Sequence, residues 1–312
     1  MDDRKRILDS VNNDGISIAG KPIFTHILER LQEIGDNTIV VSNGSDHAGR
    51  GRKINSKEYC IIDRNELICL LEKDYRRGEK WALILLGGVY TCFDDVSIDR
   101  IREITSKKKI HELNILQINS KDDIGLPIVK KDPSSRIIIN EATERTLPFD
   151  IGCYVMDPVL FRKISFSSND DVRGSIHKLI KEEQSVNMLI IDTYIKNIKD
   201  VHSIVEIQRF LFDNYKLDMD IITINTLNEI HNIVLNTPLY VSGDTTIGER
   251  CRIGPYATLM ENTIIGDDVY IINSIILNDC TIENGCYIEG AIIGPGAHIE
   301  KGTELVWGEK AV

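Results

Sequence analysis

A glycine-rich basic segment is the first place in this sequence where residue types and spacing could support chemistry. Residues 43–53, NGSDHAGRGRK, follow the apolar run TIVVS and combine glycines with His47, Arg50 and Arg52. Backbone N–H groups and guanidinium groups at the end of a strand are suited to binding a phosphate or a sugar nucleotide. Arg50 and Arg52 are therefore candidate ligand-binding residues, and a surface loop without a ligand is the alternative interpretation.

Two carboxylates and two histidines are the other groups that could react or bind. Asp94 and Asp95 could hold a metal ion, or they could cap a helix that begins near Ser97. His26 lies among apolar residues of a helical pattern, which is typical of a packed core histidine. His298, in the turn GPGAH, could act as the base of a hexapeptide acyltransferase, although a single turn histidine is more often structural.

Composition excludes several classes of protein. The chain has 312 residues and a formal net charge of -11, which argues against a nucleic-acid binder. It shows no signal-peptide pattern at its start and no apolar run of the ~20 residues that a membrane span needs. The cysteines number seven and form no C-x-x-C pair, so we expect reduced thiols in a cytoplasmic protein.

A six-residue repeat governs the chain from about residue 240 onwards. Aliphatic residues recur at this spacing, with a small or β-branched residue four positions after each of them. The aliphatic series is Val241, Ile247, Ile253, Leu259, Ile265, Ile271, Leu277, Ile282, Ile288, Ile293, Ile299 and Leu305. The second series is Thr245, Cys251, Ala257, Thr263, Val269, Ile275, Thr281, Cys286, Ile292, Ala297 and Thr303. The pattern predicts a left-handed parallel β-helix of about four coils.

The preceding part of the chain alternates between helical and strand patterns. Helices are predicted from Pro22 to Ile34, over Ile98–Ile104 and after Asp157, and strands at TIVVS, Ala82–Leu86 and Leu113–Ile118. Residues 125–139 read as a hairpin around DPSS. Alternating elements of this kind predict an α/β domain with a mostly parallel sheet. The predicted domains are residues 1–215, a linker over 216–238, and the β-helix over 239–312.

Four short segments occur in the order of the motifs of a known family. They are SIAGKP (17–22), LILLGG (83–88), DIGCYV (150–155) and YIKNI (194–198). They are similar to the G-K-P, Gly-Asp, N-x-G-x-Y-V and Y-W-x-D-I segments of the sugar-1-phosphate nucleotidyltransferases, or NDP-sugar pyrophosphorylases. The resemblance covers nearly the whole chain. It implies a Rossmann-like, GT-A-like nucleotidyltransferase domain, and it makes Lys21, Gly87 and Gly152 ligand-binding candidates.

The residues that the family uses for catalysis are replaced here. In the family, a sugar-1-phosphate oxygen attacks the α-phosphorus of a nucleoside triphosphate with the help of Mg²⁺, lysines and a glycine-rich loop. The two metal-binding aspartates fall at Gly88 and Asn197, and the P-K-P lysine falls at Asn13. The E-K-P motif keeps its glutamate as Glu141, a candidate ligand-binding residue, and loses its lysine at Ala142. No catalytic or metal-binding residue is assigned, and Mg²⁺ is expected only if the protein is active.

The family's first strand and its glycine loop have no counterpart in the residues before Gly20. Three explanations stay open at this point. Residues 15–19, GISIA, could fill the place of that strand, a partner chain could fill it, or the start could be truncated.

These observations predict a catalytically degenerate member of the family that acts as a structural or regulatory subunit. We expect it to form homo-oligomers, or hetero-oligomers with an active paralogue, and it could retain a nucleotide or a sugar phosphate. No nucleic acid and no membrane are expected as partners. The alternative is an active Mg²⁺-dependent nucleotidyltransferase with relocated ligands, and a lesser alternative is a hexapeptide acyltransferase.

Overall fold

The chain divides into two compact units in a computed structural model. The first comprises Met1–Thr25 with Ile198–Val312, and the second comprises His26–Asn197. The structure describes residues 16–31, 39–41, 52–54, 57–62, 82–85, 89–106, 113–120, 128–131, 137–140, 147–156, 158–164, 172–182, 186–191, 193–198, 200–215 and 232–306. The predicted boundaries at residues 215 and 239 stay a prediction.

The α/β region contains five described helices and thirteen described strands. The helices are α1 (Ile23–Leu31), α2 (Asp95–Ser106), α3 (Pro158–Lys163), α4 (Val172–Glu182) and α5 (Val201–Asn214). The predicted helices at Pro22, Ile98 and Asp157 correspond to α1, α2 and α3. The strands are β1 (Ser17–Ile18), β2 (Lys21–Pro22), β3 (Ile39–Val41), β4 (Arg52–Ile54), β5 (Lys57–Ile62), β6 (Ala82–Leu85), β7 (Val89–Thr91), β8 (Leu113–Ser120), β9 (Ile128–Lys131), β10 (Ile137–Asn140), β11 (Leu147–Met156), β12 (Val186–Ile190) and β13 (Ile195–Asn197). Within these residues, no helix is long and apolar enough to cross a membrane.

The main sheet of the second unit is mixed, and four of its six strands, β6, β8, β9 and β12, run in one direction. Its strand order is β10-β9-β11-β8-β12, and β6 also pairs with β11. Strand β12 runs parallel to β8, as β3 does to β5, but β11 is antiparallel to β6, β8 and β9. The connection between β8 and β11 contains the antiparallel β9–β10 pair.

A three-sided β-helix forms most of the first unit, as the hexapeptide pattern predicts. Its strands are β14 (Val234–Leu235), β15 (Leu239–Val241), β16 (Thr246–Ile247), β17 (Arg252–Ile253), β18 (Ala257–Leu259), β19 (Ile264–Ile265), β20 (Tyr270–Ile272), β21 (Ile275–Ile276), β22 (Thr281–Ile282), β23 (Tyr287–Glu289), β24 (Ile292–Ile293), β25 (His298–Ile299) and β26 (Glu304–Val306). They form three parallel sheets, β14-β17-β20-β23-β26, β15-β18-β21-β24 and β16-β19-β22-β25. Each coil therefore contributes one strand to each side of a prism.

The core of the prism matches the predicted aliphatic series except at one corner. Ile276, rather than Leu277, stacks between Leu259 and Ile293. The small inward residues at this corner are Ser274 and Ala291, which replace the predicted Ile275 and Ile292. The two residues Pro255 and Tyr256 of the earlier coil correspond to the single residue Asn273 of the next coil, so the later coils are one residue shorter. Asn273 adopts a positive φ of 51°, which lets a single residue make the turn.

One side of the prism is covered within its own unit. Thr258, Ile275 and Ile292 lie in the outward column of β18-β21-β24, yet all three are fully buried. Helix α5 contributes Gln208, whose side-chain amide donates to the carbonyl oxygens of Tyr256 (2.7 Å) and Ser274 (3.4 Å). The helix is therefore part of the β-helix unit, whereas the sequence alone assigned it to the α/β domain.

The short hairpin β1–β2 also packs on this unit. Ser17 pairs with Pro22 and Ile18 pairs with Lys21, and the Ala19 N–H donates to Thr258 Oγ1 at 3.2 Å. Among the described strands, β1 pairs only with β2. The suggestion that residues 15–19 fill the place of the family's first strand is therefore wrong for Ser17–Ile18.

Candidate functional site

A bulge in β11 is the most distinctive local feature of the second unit. Asp150 pairs with Gln117 of β8 and Cys153 pairs with Leu116, so Ile151 and Gly152 are extra residues in the bulged strand. Gly152 has a positive φ of 73°, a conformation that a side chain would disfavour. Its N–H donates to Asp150 Oδ1 at 2.8 Å. The bulge is therefore held by the carboxylate that precedes it.

Helix α4 places two basic side chains against the other carboxylate oxygen. Arg173 and His177 are four residues apart and lie on one side of the helix. His177 Nε2 lies 2.8 Å from Asp150 Oδ2, and Arg173 Nη1 lies 3.4 Å from it. The Tyr154 hydroxyl donates to the same oxygen at 2.5 Å. Asp150 is fully buried, so it is surrounded by donors and has no contact with solvent.

The charge of Asp150 is stabilised by these donors. Burial is the largest influence and opposes ionisation, but the hydrogen bond with His177, the charge of Arg173 and the hydroxyl of Tyr154 outweigh it, so the pKa of Asp150 lies below its ordinary value. An ionised carboxylate only accepts hydrogen bonds, so His177 presents Nε2–H towards it. Burial and the neighbouring carboxylate raise the pKa of Tyr154 and of Cys153 well above their ordinary values.

This cluster was missed by sequence reasoning except for Gly152. The signal was present as an aspartate within an otherwise apolar buried strand, followed by an R-x-x-x-H spacing on the next long helix. Because an isolated buried carboxylate is very costly, such an aspartate needs positively charged or hydrogen-bonding partners from another element. The cluster therefore holds β11 and α4 in position relative to each other, since its donors and acceptors are directed at one another.

The second place of interest is the β7–β13 pair. Asn197 of β13 pairs directly with Val89 of β7, and Val89 follows Gly88 in the chain. Beyond that pair, the Cys92 N–H donates to the Tyr194 carbonyl oxygen at 2.9 Å, and the Tyr90 and Tyr194 rings are 6.3 Å apart. The structure therefore brings Asn197 next to the residue that follows Gly88.

The two aspartates after β7 are engaged in local structure. Asp94 Oδ1 accepts from the Ser97 N–H at 2.8 Å and so caps α2, which begins at Asp95. Asp95 forms an ion pair with Arg30 at 2.7 Å, and Arg30 also donates to the Phe93 carbonyl oxygen. Of the two interpretations of these carboxylates, these contacts agree with the helix cap.

The remaining predicted residues fall into two groups, those that the structure describes and those that it does not. Lys21 lies on β2, exposed, and Arg52 begins β4 rather than lying in a loop. Asn13, Arg50, Gly87, Gly88, Glu141 and Ala142 lie outside the described residues, as do His47 and most of the basic segment. Their roles stay predictions. Within the described part of the chain, no group of three or more His, Cys, Asp or Glu residues could hold a metal ion.

The histidines and cysteines have structural surroundings. His26 is 8% exposed, as expected of a core histidine. His298 is largely exposed, and its Nε2 lies 3.0 Å from Glu283 Oε1. The hydrogen bond from the Lys301 N–H and the contact with His298 lower the pKa of Glu283. The five cysteines whose surroundings are described are buried and free of disulfides, which agrees with the expected reduced thiols.

Comparison with known proteins identifies the architecture. The family model described as the GMPPB C-terminal domain matches residues 235–310, which is the β-helix. Bifunctional protein GlmU of Methanocaldococcus jannaschii is 25% identical over 297 residues, covering 86% of this chain and 68% of that protein. Bifunctional protein GlmU of Syntrophomonas wolfei is 21% identical over 294 residues, covering 82% of this chain and 64% of that protein. An α/β unit followed by a hexapeptide β-helix, together with these similarities, supports the resemblance to the sugar-1-phosphate nucleotidyltransferases.

Proposed function

We propose that this protein retains the nucleotidyltransferase architecture without its metal-dependent chemistry, and that it acts as a structural or regulatory subunit. The observation that carries the proposal is the pairing of Asn197 with Val89, next to Gly88. The resemblance puts the two metal-binding aspartates of the family at Gly88 and Asn197. The pairing of Asn197 with the residue that follows Gly88 in the chain supports that alignment, because two ligands of one ion must lie side by side.

The residues at these positions do not fit a magnesium ion. Mg²⁺ prefers carboxylate oxygens and holds an octahedral shell with several waters. Glycine offers no side-chain ligand, and the amide of asparagine carries no charge. The first acidic residues that follow Gly88 in the chain, Asp94 and Asp95, have other partners in a helix cap and an ion pair. Relocation of the metal ligands to these two residues is therefore not supported.

The proposed role is that of a subunit that binds a second copy of the chain or an active paralogue. A β-helix suits this role, because its sides are flat parallel sheets that other chains can pack against. Binding of a nucleotide or of a sugar phosphate by the α/β unit is compatible with the proposal. A cytoplasmic location is part of the proposal and is supported by the free, buried cysteines.

Restoring the carboxylates tests this proposal directly. The double substitution Gly88→Asp with Asn197→Asp should create a site for Mn²⁺, used as a spectroscopic substitute for Mg²⁺, whereas the wild-type protein should bind Mn²⁺ only weakly. The matched control is Gly88→Asn alone, which adds a side chain of the same size without its charge. Tight binding by the wild-type protein that Asn197→Ala abolishes would overturn the proposal, because Asn197 would then be a working metal ligand.

A further inference from the structure

One side of the β-helix carries a column of outward residues whose chemistry is self-complementary. Leu235, Ile253, Ile271, Ile288 and Leu305 point into the core of the sheet β14-β17-β20-β23-β26, so the residue before each of them points outward. These outward residues are Val234, Arg252, Tyr270, Tyr287 and Glu304, and we call them the tyrosine face. Strand pairing aligns them in one straight column.

The tyrosine face is accessible and ordered by its own contacts. Val234 is 42% exposed and Tyr270 is 37% exposed, which is high for large apolar and aromatic side chains. The Arg252 guanidinium lies 5.8 Å from the centre of the Tyr270 ring, and the Tyr270 and Tyr287 rings are 6.3 Å apart. The Tyr287 hydroxyl donates to Glu289 at 2.7 Å. Tyrosine and arginine are the residue types most enriched at the centres of protein interfaces.

The charges of the face are placed symmetrically about its aromatic centre. Arg252 lies one strand before Tyr270, and Glu304 lies one strand after Tyr287. With strands about 4.8 Å apart, the two charges are about 14 Å apart along the prism, and the midpoint falls between the two tyrosines. A two-fold axis parallel to the strands at this midpoint brings Arg252 of each copy opposite Glu304 of the other. The same operation brings Tyr270 opposite Tyr287.

The other two sides of the prism do not have this property. In the outward column of β15-β18-β21-β24, Thr258, Ile275 and Ile292 are buried and Tyr240 is half-buried. The outward column of β16-β19-β22-β25 consists of Thr246, Ile264, Thr281 and His298. It carries no pair of opposite charges at its two ends, so a two-fold operation there joins no complementary groups.

We propose that the tyrosine face binds a second copy of this chain in a two-fold symmetric dimer with antiparallel prisms. The proposal rests on the subunit role proposed above, since it names the surface through which a partner is bound. In such an isologous interface the same patch is used by both copies. Among the described residues, no ion pair within the chain engages Arg252 or Glu304, so both charges are available to the second copy.

Charge reversal provides a test with an internal rescue. We expect the full-length wild-type protein to show a monomer–dimer equilibrium by sedimentation at concentrations from about 1 to 100 μM, a range that includes the affinities of interfaces of modest area. Arg252→Glu alone and Glu304→Arg alone should each weaken dimerisation by about tenfold or more, because two symmetric attractions become repulsions. Glu300→Arg is the matched control, since it makes the same charge change in the same coil but off the tyrosine face.

Mixing the two single variants tests whether Arg252 of one copy lies opposite Glu304 of the other. In a mixed dimer, the reversed charge at position 252 of one copy meets the reversed charge at position 304 of the other, and the unaltered Arg252 meets the unaltered Glu304. Dimers should therefore reappear in the mixture although each variant alone is weakened, a result that structural damage cannot produce. A monomeric wild-type protein, unchanged dimerisation in the single variants, or no recovery on mixing would each overturn the proposal. The loss of catalysis is judged separately by metal binding and turnover.

Discussion

The substitution Asp150→Asn tests the buried cluster, because it removes the charge and preserves the size of the side chain. In the wild-type protein this carboxylate accepts hydrogen bonds from Gly152 and Tyr154 and pairs with Arg173 and His177. The amide keeps one acceptor oxygen and leaves the Arg173 guanidinium without a counter-charge. Breaking a buried ion pair in this way costs about 3–5 kcal/mol. Arg173 and His177 keep some access to solvent, so we expect a loss of about 2–4 kcal/mol.

The assay should report on the second unit alone, since two units need not unfold together. Hydrogen exchange measured by mass spectrometry on peptides from β11 and α4 gives the local free energy of opening. The control is Asp95→Asn, the same chemical change at an exposed ion pair, where we expect a far smaller effect. Equal losses in the two variants would refute the assignment of Asp150 as an ionised, structurally essential group.

The lowered pKa of Asp150 also predicts how the stability difference between wild-type protein and Asp150→Asn changes with pH. The folded-state pKa of Asp150 is lower than its ordinary value, so its ionisation stabilises the folded state at any pH above the unfolded pKa of about 3.9. That contribution is lost as the pH falls through the lower, folded-state pKa. The difference between wild-type protein and Asp150→Asn should therefore shrink as the pH falls below about 3.9. A difference that grows below that pH would contradict the account.

Three further predictions concern the hairpin, the thiols and the exposed histidine. Gly20→Ala should lower the free energy of unfolding in urea by about 1–3 kcal/mol, because Gly20 has a φ of +80° and an added Cβ would clash with the Tyr240 hydroxyl. Gly243→Ala is the control, since a Cβ there would lie in open space and should cost little stability. Equal stability of the two variants would count against this packing. Cys153 and Cys280 should resist alkylation at pH 8 until the protein is unfolded, since burial raises the pKa of both thiols, and rapid native labelling seen by mass spectrometry would disprove this. The wild-type protein should consume no acetyl-CoA, and consumption that His298→Ala abolishes would revive the acyltransferase alternative.

The hexapeptide pattern predicts the β-helix well because each inward position repeats the same physical environment. Eleven of the twelve predicted aliphatic positions line the core or flank it. The exception is Leu277, since the core position at that corner is occupied by its neighbour Ile276. This one-residue shift was not predicted because it depends on the conformation of a single turn. Asn273 turns the corner alone at a positive φ, and the sequence offers apolar residues at both 276 and 277.

Long-range pairing is what local sequence patterns could not supply. The strand character of β11 was evident, but its antiparallel orientation depends on the path of the chain between β8 and β11. Helix α5 was not predicted as an element, and its packing depends on Gln208 reaching the carbonyl groups of a β-helix corner. The Asp150 cluster joins residues of a strand and a helix that are 23 and 27 positions apart. Periodicity describes one element at a time and carries no information on such partners.

The central claim is that the fold persists without its metal-dependent reaction, and pyrophosphate release tests it most directly. The measurement uses the full-length protein with nucleoside triphosphates, Mg²⁺ and a panel of sugar-1-phosphates. Our account predicts no release above the protein-free rate for any combination. Turnover of about 1 s⁻¹ or more, the lower end of the usual range for enzymes, would contradict it.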